Sequence, residues 1–273
     1  MVRLDVIFQS PSSCADRNFL PRLASNSGRL FLQIGAGVGN LDPRTNFQDG
    51  FTEFVKRITL NPNDRIILVE PNPGDVQVLK ECWNDFECAE IISVAILPAG
   101  QPAKAMTLWF ADEDAPYFQI ASHDRSHVEH HYPQGTIRKM SVPSLPIDEL
   151  ILSVGNGLSL AFLGIDVEGL DSEILTSMDW ETMNFDAISF ESVHMGKNEN
   201  NVRRILGDAG YVAAGVGLDM FGLDSLFIKP FNFWKRLQAK VWEVERQAHL
   251  PAVNGMPFES LKYLLNWFRT RKD

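Results

Sequence analysis

One feature constrains this chain more than any other: an apolar run that stops abruptly in glycines. Leu30-Phe31-Leu32-Gln33-Ile34 leads directly into Gly35-Ala36-Gly37-Val38-Gly39-Asn40. A run this short, bounded by glycine, reads as a strand buried on both faces. The glycines let the backbone turn sharply and let a ligand approach the main chain closely. A strand followed by such a turn opens a doubly wound α/β domain, whose ligands lie at the carboxyl ends of the strands. The rhythm continues downstream. Strands are expected at Ile66–Glu70, Ile91–Ile96, Leu160–Ile165 and Ala187–Phe190. Helices are expected over Phe51–Ile58, Asp75–Trp83, Ile147–Val154, Asp171–Met178 and Asn201–Ala209. Tyr211–Val216 and Ser225–Ile228 read as a hairpin. The fold class is therefore α/β: a doubly wound, mainly parallel sheet closed by an antiparallel hairpin.

Composition narrows the function. The chain has 273 residues, 45% of them hydrophobic, enough for a real core. Its net charge of −10 argues against a protein built to grip nucleic acid. Three cysteines, Cys14, Cys82 and Cys88, form no CxxC pair, which disfavours both a disulfide scaffold and a cysteine zinc site. No run approaches the ~18 apolar residues of a membrane span, and the first residues lack the apolar stretch of a signal peptide. The expected compartment is the cytoplasm.

Residues 1–230 read as the ligand-binding domain and 231–273 as a C-terminal helical appendage. The appendage carries a stripe of Leu237, Val241, Val244 and Ala248, a loop at Pro251–Pro257 and a last helix at Leu261–Phe268. Lys262, Arg269, Arg271 and Lys272 leave peripheral contact with a membrane or partner open, as is homo-oligomer formation. Between residues 99 and 146 the alternation fails. Strands at Thr107–Phe110 and Ile137–Val142 flank a polar stretch of the kind that lies over a site as a mobile loop.

The candidate chemistry sits at strand ends. Gly35, Gly37 and Gly39 have GxGxG spacing, and Asn40 stands where the dinucleotide fingerprint has its last glycine. Glu70, in Val69-Glu70-Pro71-Asn72-Pro73, ends the second strand, where a carboxylate can accept both hydroxyls of a ribose. Asp166 and Glu168 leave the strand of Leu163-Gly164-Ile165, opposite the glycine turn if that strand flanks the point where strand order reverses. Glu191 and His194 end the next strand. His123, His127 and His131 have i, i+4 spacing but no HExxH, so no metal is expected.

Taken together these motifs resemble the FkbM-type methyltransferases, which use S-adenosylmethionine. Gln33 to Asn40 is similar to that family's glycine motif, Glu70-Pro71-Asn72-Pro73 to its EPxP motif, and Ile165-Asp166-Val167-Glu168-Gly169 to its IDVEG motif. The resemblance spans roughly residues 28 to 229 and implies a Rossmann-like class I methyltransferase. It implies S-adenosyl-L-methionine as cofactor, held by Gln33, Gly35, Ala36, Gly37, Gly39, Asn40, Glu70, Asn72, Val94, Ala95 and Asp166. The implied reaction is O-methylation of a hydroxyl on a sugar, glycolipid or other small natural product. Asp166 is the first choice for the group that takes the hydroxyl's proton, with Glu168 and His194 as rivals. A nicotinamide-linked oxidoreductase and a catalytically inactive cofactor-binding module are the alternatives.

Overall fold

The computed structural model describes residues 20, 28–41, 49–115, 120–192, 195–218 and 224–254. Its frame is a seven-stranded sheet. The strands in chain order are β1 (Arg29–Ile34), β2 (Arg65–Val69), β3 (Ala89–Ile92), β7 (Ser159–Ile165), β8 (Ala187–Glu191), β9 (Val212–Val216) and β10 (Asp224–Ile228). Across the sheet they run β3-β2-β1-β7-β8-β10-β9. Only β10 is antiparallel to its neighbours, β8 and β9. Strand order reverses between β1 and β7, so a crevice opens at their carboxyl ends.

The central strands are mostly apolar because both of their faces are covered. Leu30, Leu32 and Ile34 of β1 join Leu163, Ile165 and Phe190 under α4 (Ile147–Val154), α5 (Asp171–Ser177) and α6 (Asn198–Asp208). Phe31 points the other way, onto Phe54, Phe162 and Leu79, under α1 (Gly50–Arg57) and α2 (Pro73–Cys82). The period-2 pleat thus splits one run of sequence between two cores.

A smaller three-stranded sheet is made by β4 (Ala95–Leu97), β5 (Ala105–Ala111) and β6 (Ile137–Pro146), in the order β4-β6-β5. It corrects the single strand expected over Ile91–Ile96. Val94 N–H donates to Ile92 O at 3.2 Å, a tight turn that breaks the run. Residues before the turn complete the main sheet, and those after it pair with β6 instead. The polar stretch expected as a mobile loop contains a helix, α3 (Arg125–His131), whose N-terminus is capped by Asp124 accepting from Ser126 N–H.

The C-terminal helix α7 (Phe233–Asn254) lies along β9, with Ala239 in the second core cluster. It runs through Pro251, where a loop was expected; a proline near a helix end removes one hydrogen bond without ending the helix. The expected helix at Leu261–Phe268 lies outside the described residues. Arg246 on α7 is buried; its Nη2 donates to Ser192 Oγ (2.8 Å) and its Nε to Asp224 O (3.2 Å). No helix among the described residues is long and apolar enough to cross a membrane.

The far edge of β1 is held by a buried ion pair. Arg29 Nη2 lies 2.6 Å from Asp64 Oδ2, and Arg29 Nε donates to the same carboxylate. Asp64 also accepts the backbone N–H groups of Arg29 and Asn61, both at 2.8 Å. Removing one partner of such a pair strands a buried charge. Asp64→Ala is therefore expected to lose about 3–5 kcal/mol in urea unfolding. A loss below about 1 kcal/mol would show that the pair does not organise the start of β1.

Candidate functional site

The glycine turn begins where β1 ends. Gly35 has φ +79°, and a Cβ there would stand 1.6 Å from the carbonyl oxygen of Asp166. Only glycine lets the ends of β1 and β7 come this close. The N–H groups of Gly35 and Ala36 both donate to Val69 O at 3.0 Å, tying the turn to the end of β2. A Cβ at Gly37 would meet nothing within 4 Å, so this part of the turn stays open.

Glu70 follows β2 and is 6% exposed. Its Oε2 accepts from Gly37 N–H and its Oε1 from Asn72 N–H, each at 2.8 Å. Burial pushes its carboxyl up to about 7, against the pull of those two hydrogen bonds. Asn72 caps α2 by accepting from Gly74 N–H at 3.0 Å, and its amide donates to Asp75 Oδ2 at 2.8 Å. Gln33 donates from Nε2 to Asp49 Oδ1 at 3.0 Å, which leaves its buried Oε1 without a hydrogen-bond partner among the described residues. Asp49 in turn caps α1 by accepting from Thr52 N–H at 2.7 Å. Burial raises the Asp49 carboxyl too.

Across the turn, Asp166 and Glu168 leave β7. Asp166 is open to solvent through the cavity mouth, with protein around the rest of it. That enclosure, followed by the carboxylates of Glu168, Asp171, Glu191 and Asp224, holds its carboxyl well above the ordinary range; solvent at the mouth moderates the first effect. Glu168 has φ +49°, a left-handed conformation that non-glycine residues seldom take outside functional sites and turns. Two residues of the polar stretch hold it there. Ser122 Oγ donates to Glu168 O at 2.5 Å, and His127 Nε2 lies 2.9 Å from Glu168 Oε2. Burial, then Glu191, Asp171 and Asp114, push the Glu168 carboxyl up to about 8. Asp171, at the start of α5, is likewise raised by burial, to about 6.

These groups converge on one cavity of about 380 Å³. Gln33, Gly35, Ala36, Gly37 and Gly39 line one wall; Glu70, Asn72, Val94 and Ala95 line a second; Asp166 and Glu168 line a third. Asn40 departs from the sequence expectation. It is absent from the lining because its side chain is used behind the turn: Nδ2 donates to Glu53 Oε1 (2.7 Å) and Oδ1 accepts from Asp49 N–H (2.5 Å). His194 lies outside the described residues. His123 also lines the cavity, with Nδ1 buried and unpartnered among the described residues; burial lowers its pKa, so the ring is neutral near pH 7. Met106, His123 and Leu170 also line a second recess, bordered by Lys104 and Glu173. The sequence signal for His123 and His127 was their helical spacing, which suggests a chelate; no metal-binding group of three or more occurs among the described residues.

The sequence pattern of the methyltransferase FkbM domain matches residues 33–213 of this chain, which include all of these walls. No curated protein matches the chain. Solved structures that are similar to it include the Methanococcus jannaschii fibrillarin pre-rRNA processing protein, at 10% identity over 77% of this chain and 70% of that one, with a TM-score of 0.36. Aeropyrum pernix fibrillarin in complex with natively bound S-adenosyl-L-methionine matches at 14% identity over 77% and 69%, TM-score 0.36. A precorrin-6y C5,15-methyltransferase from Geobacter metallireducens matches at 16% identity over 74% and 79%, TM-score 0.34.

The raised carboxyls make stability depend on pH with a definite sign. Glu70, Asp171 and Glu168 bind a proton more tightly folded than unfolded. Their contribution is present below the unfolded values and is lost as pH rises through about 6, 7 and 8. His123, whose pKa is lowered, acts in the opposite sense. Thermal unfolding of the ligand-free protein should therefore weaken between pH 5 and 8.5, with Glu70 alone contributing on the order of 2 kcal/mol. Glu70→Gln should flatten that slope, and an unchanged slope in the variant would show that Glu70 is not proton-linked to folding.

Proposed function

Because the chain belongs to the FkbM methyltransferase family, we propose that it methylates a hydroxyl of a small-molecule or glycan acceptor, with proton removal by Asp166. Its cofactor is S-adenosylmethionine, and membership in the family sets the nicotinamide alternative aside. S-adenosylmethionine supplies a methyl group already activated on a sulfonium, so the protein contributes chiefly binding, alignment and proton removal.

The cavity suits this cofactor chemically. Glu70 offers acceptor lone pairs on both carboxylate oxygens for a ribose diol. The orphaned Gln33 Oε1 is a buried acceptor suited to an ammonium group. The open face of Gly37 leaves room for close backbone approach, and Val94 and Ala95 offer an apolar edge for a base. The concentration of carboxylates beside the turn suits a cationic ligand.

The observation that carries the reading is the placement of Asp166. Asp166 lines the cavity along with the glycine turn, whereas Glu168 is engaged by His127. A carboxylate raised toward neutrality is a better proton acceptor than an ordinary surface aspartate. Glu168 and His127 keep the segment after β7 in its left-handed shape and so orient Asp166. The recess at Met106, His123 and Leu170 offers the acceptor a way in, with Lys104 and Glu173 as polar contacts for hydroxyls. A soluble enzyme of the cytoplasm fits the acidic composition and the lack of a membrane-spanning helix among the described residues.

Labelled-methyl transfer to a panel of hydroxylated glycans and natural products tests the reaction; cofactor binding with no transfer to any hydroxyl would favour the inactive binding module. Two variants test the roles. Asp166→Asn should keep S-adenosylhomocysteine affinity within about threefold and lower turnover by ~10²–10⁴. Affinity lost in proportion to rate would make Asp166 a binding residue. For Glu70, a ribose diol donates to the ionised carboxylate, so binding should release a proton. Calorimetry should find S-adenosylhomocysteine affinity rising about tenfold from pH 6 to pH 8, with the dependence gone in Glu70→Gln. A pH-independent affinity in the parent protein would remove Glu70 from the ribose.

A further inference from the structure

The beginning of α7 is unlike the rest of the surface. Phe231 is 51% exposed, Phe233 70% and Trp234 73%, and Val241, one heptad beyond Trp234, is 36% exposed. Large aromatic side chains this open are uncommon singly and rarer in a cluster. The helix turns its opposite face inward, with Ala239 and Arg246 buried and Trp242 half-buried. The outward stripe of Phe233, Trp234 and Val241 is therefore not needed to hold α7 on the sheet.

Charge singles out the same segment. From Lys229 to Trp242 there are four basic residues, Lys229, Lys235, Arg236 and Lys240, and no acidic one, in a chain of net charge −10. Lys235 lies over the rings of Phe231 and Trp242, 5.9 Å from each centroid, so its stem runs along aromatic surface with the ammonium at the edge. Exposed aromatic side chains at a helix end, interleaved with snorkelling cations in an otherwise acidic chain, suit the boundary between anionic lipid headgroups and acyl chains.

We propose that this end of α7 docks the protein on an anionic lipid bilayer, with Phe231, Phe233 and Trp234 entering the interface and Lys235, Arg236 and Lys240 meeting lipid phosphates, while Lys229 stays on Asn184 and the Tyr211 ring. The inference does not depend on the reaction. It also fixes an orientation. β10 is antiparallel to β8, so Ile228 and the start of α7 lie at the sheet edge away from the cavity. Arg246, thirteen residues beyond Phe233, reaches Ser192 on the cavity side. At the 1.5 Å rise of a helix that separates the two ends by about 20 Å. The docked protein thus holds its cavity mouth toward water, above the surface.

The test is co-sedimentation of the full chain with vesicles of phosphatidylcholine alone and of phosphatidylcholine mixed with phosphatidylglycerol. Binding to the anionic vesicles should exceed that to neutral ones by at least about tenfold and weaken with added salt. The double variant Phe233→Ser/Trp234→Ser should lose about tenfold or more, and so should Lys235→Glu/Arg236→Glu/Lys240→Glu. Unchanged thermal unfolding in both variants shows that they fold. Failure of the parent protein to bind anionic vesicles overturns the proposal, as does undiminished binding by the aromatic variant. A parent dimer in light scattering that becomes a monomer in the aromatic variant would assign the patch to a second copy of the chain instead.

Discussion

The crevice exists because two strand ends touch. Gly35 and the Asp166 carbonyl approach so closely that no side chain fits between them. That contact brings the glycine turn of β1 and the carboxylates after β7 to opposite sides of one gap. The two N–H groups donated to Val69 O then draw the end of β2, and with it Glu70, into the same wall. Three segments separated by more than thirty residues each are thus placed by one short stretch of main chain.

Electrostatics follow from that geometry. Glu70, Asp166, Glu168 and Asp171 are crowded into partly dehydrated surroundings, and each carboxyl is held above its ordinary range. His127 lies against Glu168 in this group, whereas at the far end of β1 Arg29 is paired with Asp64. The same residue type is therefore used in two ways. At the base of the sheet a carboxylate is paired and stabilises the fold; at the top, burial first, and for Asp166, Glu168 and Asp171 neighbouring carboxylates second, hold the acids above their ordinary range, which a cationic ligand opposes. Function is placed where the structure tolerates electrostatic discomfort.

Much of this was legible from the sequence because the informative residues end apolar strands. Gly35, Glu70 and Asp166 each follow a run whose burial is plain from composition, and the order of those runs sets which ends meet. Asn40 misled for a physical reason: its place in a glycine motif suggests a ligand, but its amide is consumed by Glu53 and the Asp49 backbone. Val94 and Ala95 reach the cavity through a turn at Ser93, which a single polar residue in a mostly apolar run does not announce. The pairing of His127 with Glu168 joins residues 41 apart in sequence and needs the small sheet and α3 to be built first. No local pattern announces such a contact, since helical spacing of histidines reads equally as a chelate or a solvated face.

Arg246 gives the site a temporal order. Its guanidinium lies inside the protein against Ser192 and the start of β10, at the rim of the strand ends. It arrives on the last described helix, more than fifty residues after the strand it supports. During synthesis every wall of the cavity emerges from the ribosome before this brace does. A nascent chain can therefore assemble the glycine turn, Glu70 and Asp166 while the neighbouring rim is still unbraced.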